Sequence, residues 1–181
     1  LSGADGGAVG QALLAGDAER AEALTQRLAT LFPQRFFVEL QRAGLASNER
    51  HVRAAVPLAA KLKLPVVATH PVQFLEPDDF EAHEARVCVA EGETLANPKR
   101  VKRFSREQYF KTRAQMEALF ADLPAAVSNS VAIAQRCNLA EGTVKIHLNS
   151  IFRKLGVASR SELIVHRGGM RQAAENARKT H

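Results

Sequence analysis

The side chains of this 181-residue chain that could do chemistry are few and widely spaced. Glu39 lies in the apolar run FFVEL, and His70 ends LPVVATH. A carboxylate and an imidazole near strand ends are donor types for a divalent cation, and His70 is the better ligand candidate of the two. His83 and Glu84 stand side by side, but H-E-x-x-H needs a His where the chain has Val87, so the pair reads as structural. Ser2 and Ser128 lack the glycine flanks of a nucleophile elbow. Gly3, Gly6, Gly7 and Gly10 are dense, yet no strand precedes them, which argues against a phosphate loop. Cys88 and Cys137, one in a strand-like run and one in a helical run, are expected to be buried reduced thiols.

Two cationic groups remain. Lys99, Arg100, Lys102, Arg103 and Arg106 lie near Phe104 and Tyr109, a mixture that suits single-stranded nucleic acid, or else a solvated loop. The second group is on a helix. Val144, Leu148, Ile151 and Leu155 form one apolar stripe, and Lys145, Asn149, Arg153 and Lys154 point away from it. Gly156 follows as a C-cap. With the short helix and turn before it, this is the layout of a helix-turn-helix, whose second helix enters the DNA major groove.

The elements that must position these residues alternate. Residues 6–15 and 18–31 read as helices, the second with Leu24, Leu28 and Leu31 on one face and Phe32-Pro33 as its stop. Residues 36–40 read as a strand, and residues 48–62 as a helix that Pro57 should kink or shift. Residues 65–69 form an apolar run suited to a parallel strand. A helix over 78–90 opens at Pro77 and two acids, and 97–104 is a basic loop. A helix over 105–120 starts at a capping box of Ser105 and Gln108. Strand, helix, strand implies a βαβ unit, with too few strands for a closed barrel.

Charge is concentrated in the tail. Residues 139–181 hold eight Lys or Arg against three acids, so the tail carries +5 of the chain's formal +6. An anionic partner, nucleic acid first, suits that asymmetry. No apolar run reaches the length of a membrane span, and no signal-peptide pattern is present, so a soluble, cytoplasmic protein is expected. The chain begins with Leu1 rather than Met, which suggests a fragment.

Two resemblances sharpen this reading. The strings LSGADGGAVGQALLAGD, FPQRFFVELQRAG, LPVVATHPVQFLEPDDFEAHEARVCVAEGETLANPKRVKRFSREQYF and MEALFADLPAAVSNSVAIAQRCNL follow one another in the chain. Over residues 1–139 they resemble part of the PHP domain of the bacterial DNA polymerase III alpha subunit. That resemblance implies a TIM-like barrel that holds up to three metal ions and in some bacteria acts as a proofreading exonuclease. Where the active pattern has Asn-Asp-x-His, this chain reads His70-Pro71-Val72-Gln73, so a ligating Asp and His are replaced. Glu39 and His70 are left as vestigial metal positions, no metal or other cofactor is expected, and the barrel's first half has no counterpart. Such a half-barrel is expected to leave strand edges unpaired.

From 133 to 165, EGTVKIHLNSIFRKLGV followed by SRSEL is similar to the C-terminal part of the LuxR/NarL-type DNA-binding domain. The resemblance implies base-edge contacts from Lys145, Ile146 and Asn149, and DNA-backbone contacts from Thr143, His147 and Lys154. It also implies dimerisation through the helix around 161–165. Ala140 stands where that family usually has a capping hydroxyl, at a cost of about 1 kcal/mol. The two resemblances meet at IAQRCNL.

The expected architecture is therefore α/β. A partial PHP-type barrel fragment spans 1–125, a helix-turn-helix segment 126–167, and a basic disordered tail 168–181. The expected function is that of a non-catalytic fragment of the replicative polymerase with a DNA-binding tail, without catalytic residues and without activity alone. The alternative is a LuxR/NarL-type transcription regulator. The expected partners are DNA, other replicase subunits and a second copy of the chain, but no membrane.

Overall fold

The computed structural model describes residues 1–137. The chain divides into two compact units, Leu1–Ala132 and Ile133–His181, and most of the second lies outside the described residues. The described part is mixed helix and strand. A short 3-10 turn (Ala4–Gly6) leads into α1 (Ala8–Leu14) and α2 (Ala18–Leu31). Then come β1 (Val38–Gln41), α3 (Ala46–Lys61) and β2 (Val66–Thr69). A 3-10 turn (Pro77–Asp79) opens α4 (Phe80–Glu91), and α5 (Arg113–Leu119) and α6 (Pro124–Arg136) follow.

The βαβ unit forms as the apolar runs imply. β1 and β2 pair in parallel, with Val38 opposite Val66 and Gln41 opposite Thr69. Among the described residues these two strands are the whole sheet, so the structure shows a small sheet with helices and no barrel wall. Phe36, Val38, Leu40, Val52, Ala55, Ala59, Ala68, Phe120 and Ala126 make one buried core. Phe120, Leu40 and Val38 are its largest fully buried apolar side chains.

The strand edges are not bare. On β1, Ser2 donates its backbone N–H to Phe37 O (3.1 Å) and accepts from the Glu39 N–H at its hydroxyl (2.9 Å). On β2, Asn129 Nδ2 donates to Val66 O (2.8 Å) and Ser130 Oγ to Ala68 O (2.6 Å). Residues from the N-terminal segment and from α6 thus occupy backbone positions that a flanking strand would take. The expectation of unpaired edges is corrected for these groups.

Other local expectations shift for identifiable reasons. The inner face of α2 is Ala21 and Thr25, with Leu24 and Leu28 half-buried and Leu31 exposed at its end. Small residues let α2 lie close to its neighbours, so the leucines fall on its flanks. α3 passes through Pro57, which sits on its exposed side. The strand expected over 36–40 begins two residues later.

The helix expected over 105–120 forms only from Arg113. Gln108 does bond back to the Ser105 N–H through its side chain (2.9 Å). The backbone beyond it is instead drawn into a parallel bridge between Phe74 and Tyr109. The bridge is flanked by Gln73 N–H to Gln108 O (2.8 Å) and Phe110 N–H to Phe74 O (3.0 Å). The complete capping box is the next one along the chain, Thr112 with Gln115. Cys88 lies in α4 rather than in a strand and is buried, whereas Cys137 is exposed; both are free thiols. None of the described helices is long and apolar enough to cross a membrane.

Candidate functional site

The C-terminal ends of parallel strands are where an α/β fold offers polar side chains to a ligand. Here Glu39, Gln41 and Thr69 meet at that end of the sheet. Strand alternation sends Glu39 and Gln41 to one side of β1, and the register sets Gln41 against Thr69. The result is a closed hydrogen-bond network rather than an open ligand set. Thr69 Oγ1 donates to Glu39 Oε1 (2.6 Å) and accepts from Gln41 Nε2 (3.0 Å). Glu39 Oε2 accepts from the Gly3 N–H (3.1 Å), and Gln41 Nε2 also approaches Oε1 (3.4 Å). Glu39 is therefore not an isolated carboxylate. Both of its oxygens are engaged and it is 9% exposed.

The N-terminal glycines serve this closure. A Cβ on Gly7 would lie 2.0 Å from Ser2 O, and one on Gly10 would lie 2.0 Å from Ala4 O. The glycine run thus lets the segment fold tightly against itself beside β1. No strand precedes this run.

His70 follows β2 directly. Its Nε2 donates to Glu107 O (2.8 Å), and burial pushes the imidazole below its ordinary pKa, opposed by that carbonyl. Pro71 O accepts from Gln108 Nε2 (3.2 Å), so the loop carrying His70 is tied to 107–110. Among the described residues no three His, Cys, Asp or Glu side chains are placed to hold a metal ion.

Sequence reasoning missed His51. It lies on the inner face of α3 with Asn48, Val52, Ala55 and Ala59, a helical spacing that could have revealed it. It is 1% exposed, and neither ring nitrogen has a hydrogen-bond partner. Burial lowers its pKa from the ordinary histidine value, against the pull of Asp5 and Glu39. Asp5 in turn accepts from Ser47 Oγ (2.7 Å) and Asn48 Nδ2 (2.9 Å), pinning the N-terminal turn to α3.

Arg42 was also missed. It donates to Leu119 O (2.7 Å) and bidentately to Asp122 (2.6 and 2.8 Å), approaches Glu49 (3.1 Å), and stacks 5.0 Å over Phe120. The Arg42 guanidinium, donating to both oxygens, holds the Asp122 carboxyl below its ordinary pKa.

Within the basic stretch only Arg100 is withdrawn from solvent; Lys99, Lys102, Arg103 and Arg106 are exposed. Arg100 reaches Glu84 at 2.6 Å, both side chains under 10% exposed. Arg103 pairs with Glu91 (3.3 Å). Arg106 approaches Glu81 (3.8 Å) and stacks 5.2 Å over Phe80. Phe104 packs edge-on against His83, 4.7 Å between centroids, and Lys111 lies 3.7 Å over Tyr109. The three arginines and Phe104 thus contact α4, and Tyr109 lies beside Lys111 and Gln115, while Arg103 and Arg106 stay largely exposed. His83 and Glu84 are structural here, and burial lowers the His83 pKa, aided by Arg86. Lys99 and Lys102 make no ion pair among the described residues.

The DNA-binding candidates Thr143, Lys145, Ile146, His147, Asn149 and Lys154 lie outside the described residues. Sequence comparison does reach them. The family described as bacterial regulatory proteins, luxR family, matches residues 127–167.

The larger part of the chain has different relatives. It is 49% identical over 139 residues to the DNA polymerase III subunit alpha of Pseudomonas aeruginosa. It is 49% identical over 140 residues to that of Neisseria meningitidis and 44% over 139 residues to that of Escherichia coli. Each match covers 77% of this chain and 12% of the relative's length. The chain is thus similar over most of its length to one stretch of the DNA polymerase III alpha subunit, and over residues 127–167 to the luxR-family helix-turn-helix.

Proposed function

We propose that this chain is a non-catalytic, PHP-type piece of a replicative polymerase alpha subunit that carries a duplex-DNA-binding helix-turn-helix. The observation that carries the non-catalytic part is the closed network around Glu39, whose two oxygens already accept from Gly3, Thr69 and Gln41. A cation at this strand end would have to displace those donors, and Pro71 and Gln73 offer no carboxylate or imidazole to compensate. In this reading the two-stranded unit corresponds to part of a TIM-like barrel, and the protein works in the cytoplasm.

The DNA-binding part is supported by the luxR-family match, which contains all six candidate residues. Lys145, Ile146 and Asn149 then read base edges, Thr143, His147 and Lys154 hold the DNA backbone, and residues 161–165 pair two copies. Other replicase subunits are the second class of partner. That same match favours one further reading, a LuxR-type transcription regulator, which differs in requiring strong discrimination between DNA sites.

The test is a duplex-DNA titration of the full chain across salt concentrations. Affinity should fall with salt, and Lys154→Ala should flatten the log–log slope by about 0.9. Lys145→Ala should cost about 1–3 kcal/mol at a preferred site. No salt-dependent binding to any duplex would remove the DNA-binding reading. Manganese-stimulated, chelator-sensitive hydrolysis of single-stranded DNA would remove the non-catalytic one. Discrimination of a thousandfold or more between duplexes would favour the regulator.

A further inference from the structure

The end of the sheet opposite Glu39 carries exposed cations and an exposed aromatic ring. Val38 N–H donates to Pro65 O (2.9 Å), so the segments that enter β1 and β2 lie side by side at this end. The first of them holds Phe32, which follows α2, and Arg35, whose N–H donates to Phe32 O (3.0 Å). The second holds Lys63, in the turn after α3, with its N–H on Ala60 O (3.1 Å). Leu31 is 59% exposed and Phe32 is 52% exposed. Arg27 lies one helical turn before Leu31, on the same side of α2. Arg27, Arg35 and Lys63 are exposed and make no ion pair among the described residues. Residues 23–38 and 50–75 contain no Asp or Glu, and the acid before the first of these runs, Glu22, is paired with Lys61 (2.6 Å).

We infer that this end of the sheet binds single-stranded nucleic acid, with Phe32 as a stacking platform for one base and Arg27, Arg35 and Lys63 on the phosphates. Cations without acids among them attract a polyanion, and guanidinium groups match phosphate oxygens in geometry as well as charge. The ring decides between polyanions. An unpaired base offers its flat face to an exposed aromatic side chain, whereas duplex bases are already stacked on one another. Two apolar side chains are little area for insertion into a membrane, but one ring is enough for one base. The surface is separate from the strand end that holds Glu39. It uses none of the residues of the luxR-family match, so it does not depend on the duplex-DNA reading.

The test titrates a labelled 20-nucleotide oligo(dT) with the full chain across salt concentrations. The tail is a second candidate for DNA binding, so the readout is the change that each substitution makes. Phe32→Ala should weaken binding by about 5- to 150-fold, the loss of one stacked base, and Phe32→Tyr, which keeps a ring, should not. Arg35→Ala combined with Lys63→Ala should flatten the log–log salt slope by about 1.4, at about 0.7 for each phosphate contact on a single strand. Because a variant could lose its fold, a second measurement uses the unaltered chain. After ultraviolet cross-linking to oligo(dT) and tryptic digestion, the cross-link should map to the peptide 28–35, which contains Phe32. Folded variants that bind as the unaltered chain does overturn the inference, as does a cross-link confined to other peptides. Polyglutamate that displaces the label as well as unlabelled oligo(dT) does would assign the surface to an acidic peptide and overturn it. So would binding to phosphatidylserine vesicles that Phe32→Ala abolishes while oligo(dT) binding stays.

Discussion

The sheet and the α4 region are both sealed by polar contacts, but they are built from opposite materials. Around β1 and β2, polar groups decorate an apolar core whose members Val38, Leu40, Ala55 and Phe120 are wholly buried. In α4 two of the three buried residues are His83 and Glu84. There, Val89 is 83% exposed and Val101 in the basic return is 68% exposed. On the sheet side buried apolar side chains predominate; in the α4 region the buried contacts are the Glu84–Arg100 pair and the rings around His83. Salt screens exposed ion pairs strongly and buried ones much less, so the Glu84–Arg100 pair is read by substitution rather than by salt. Charge in a sequence therefore says little about binding until its partners are known: Arg100, which looked like part of a nucleic-acid surface, is buried against Glu84 of α4.

The largest effect should come from the sheet side. Phe120→Ala should lower unfolding free energy by about 3–5 kcal/mol, read from the denaturant midpoint. A loss below about 1 kcal/mol would mean that this core does not carry the fold.

Next is the α4 pair. Glu84→Gln should leave the global melt nearly in place while speeding proteolysis and hydrogen exchange in 96–106. If the substitution instead unfolds the whole unit, the two regions are one cooperative body and the contrast fails.

Acid should weaken both regions by the same cause. His51, on the sheet side, and His83, in α4, are held below the ordinary histidine pKa chiefly by burial. The folded state then favours neutral rings, while the unfolded chain takes up protons below about pH 6.5. The stability they contribute is complete above that value and is lost as pH falls toward the depressed folded values. His51→Gln should flatten the dependence of the global melt between pH 7 and 5. His83→Gln should flatten only the local exchange of α4.

The smallest effect is expected at Lys102, exposed and without an ion pair among the described residues. Lys102→Ala should change stability by less than about 0.5 kcal/mol in a urea melt.

What could be read from the sequence follows the same division. The helix over 18–31 forms with the bounds that its pattern and Phe32-Pro33 stop imply, and the apolar run before His70 becomes a parallel strand. Those signals are local. The failures come from contacts between distant positions. Ser105 and Gln108 resemble a helix start, but Phe74, far back in the chain, takes the following backbone into a bridge. Glu39 was visible as a carboxylate in an apolar run, yet its donors Gly3 and Thr69 lie 36 and 30 residues away. Arg100 looked cationic and free because Glu84 sits on another element. Patterns within a few residues expose an element; they do not disclose which polar groups on separate elements will satisfy one another.

The cover on β2 also has a schedule. Val66 is made 63 residues before Asn129, the side chain that caps its carbonyl. On a ribosome adding about 5–20 residues per second, that interval is roughly 3–13 s. During that time β1 and β2 can pair while the outer side of β2 faces whatever is nearby, including another nascent copy. The hazard belongs to synthesis rather than to the finished fold. Slow translation between codons 70 and 130 should therefore raise the insoluble fraction even where the purified protein is well behaved.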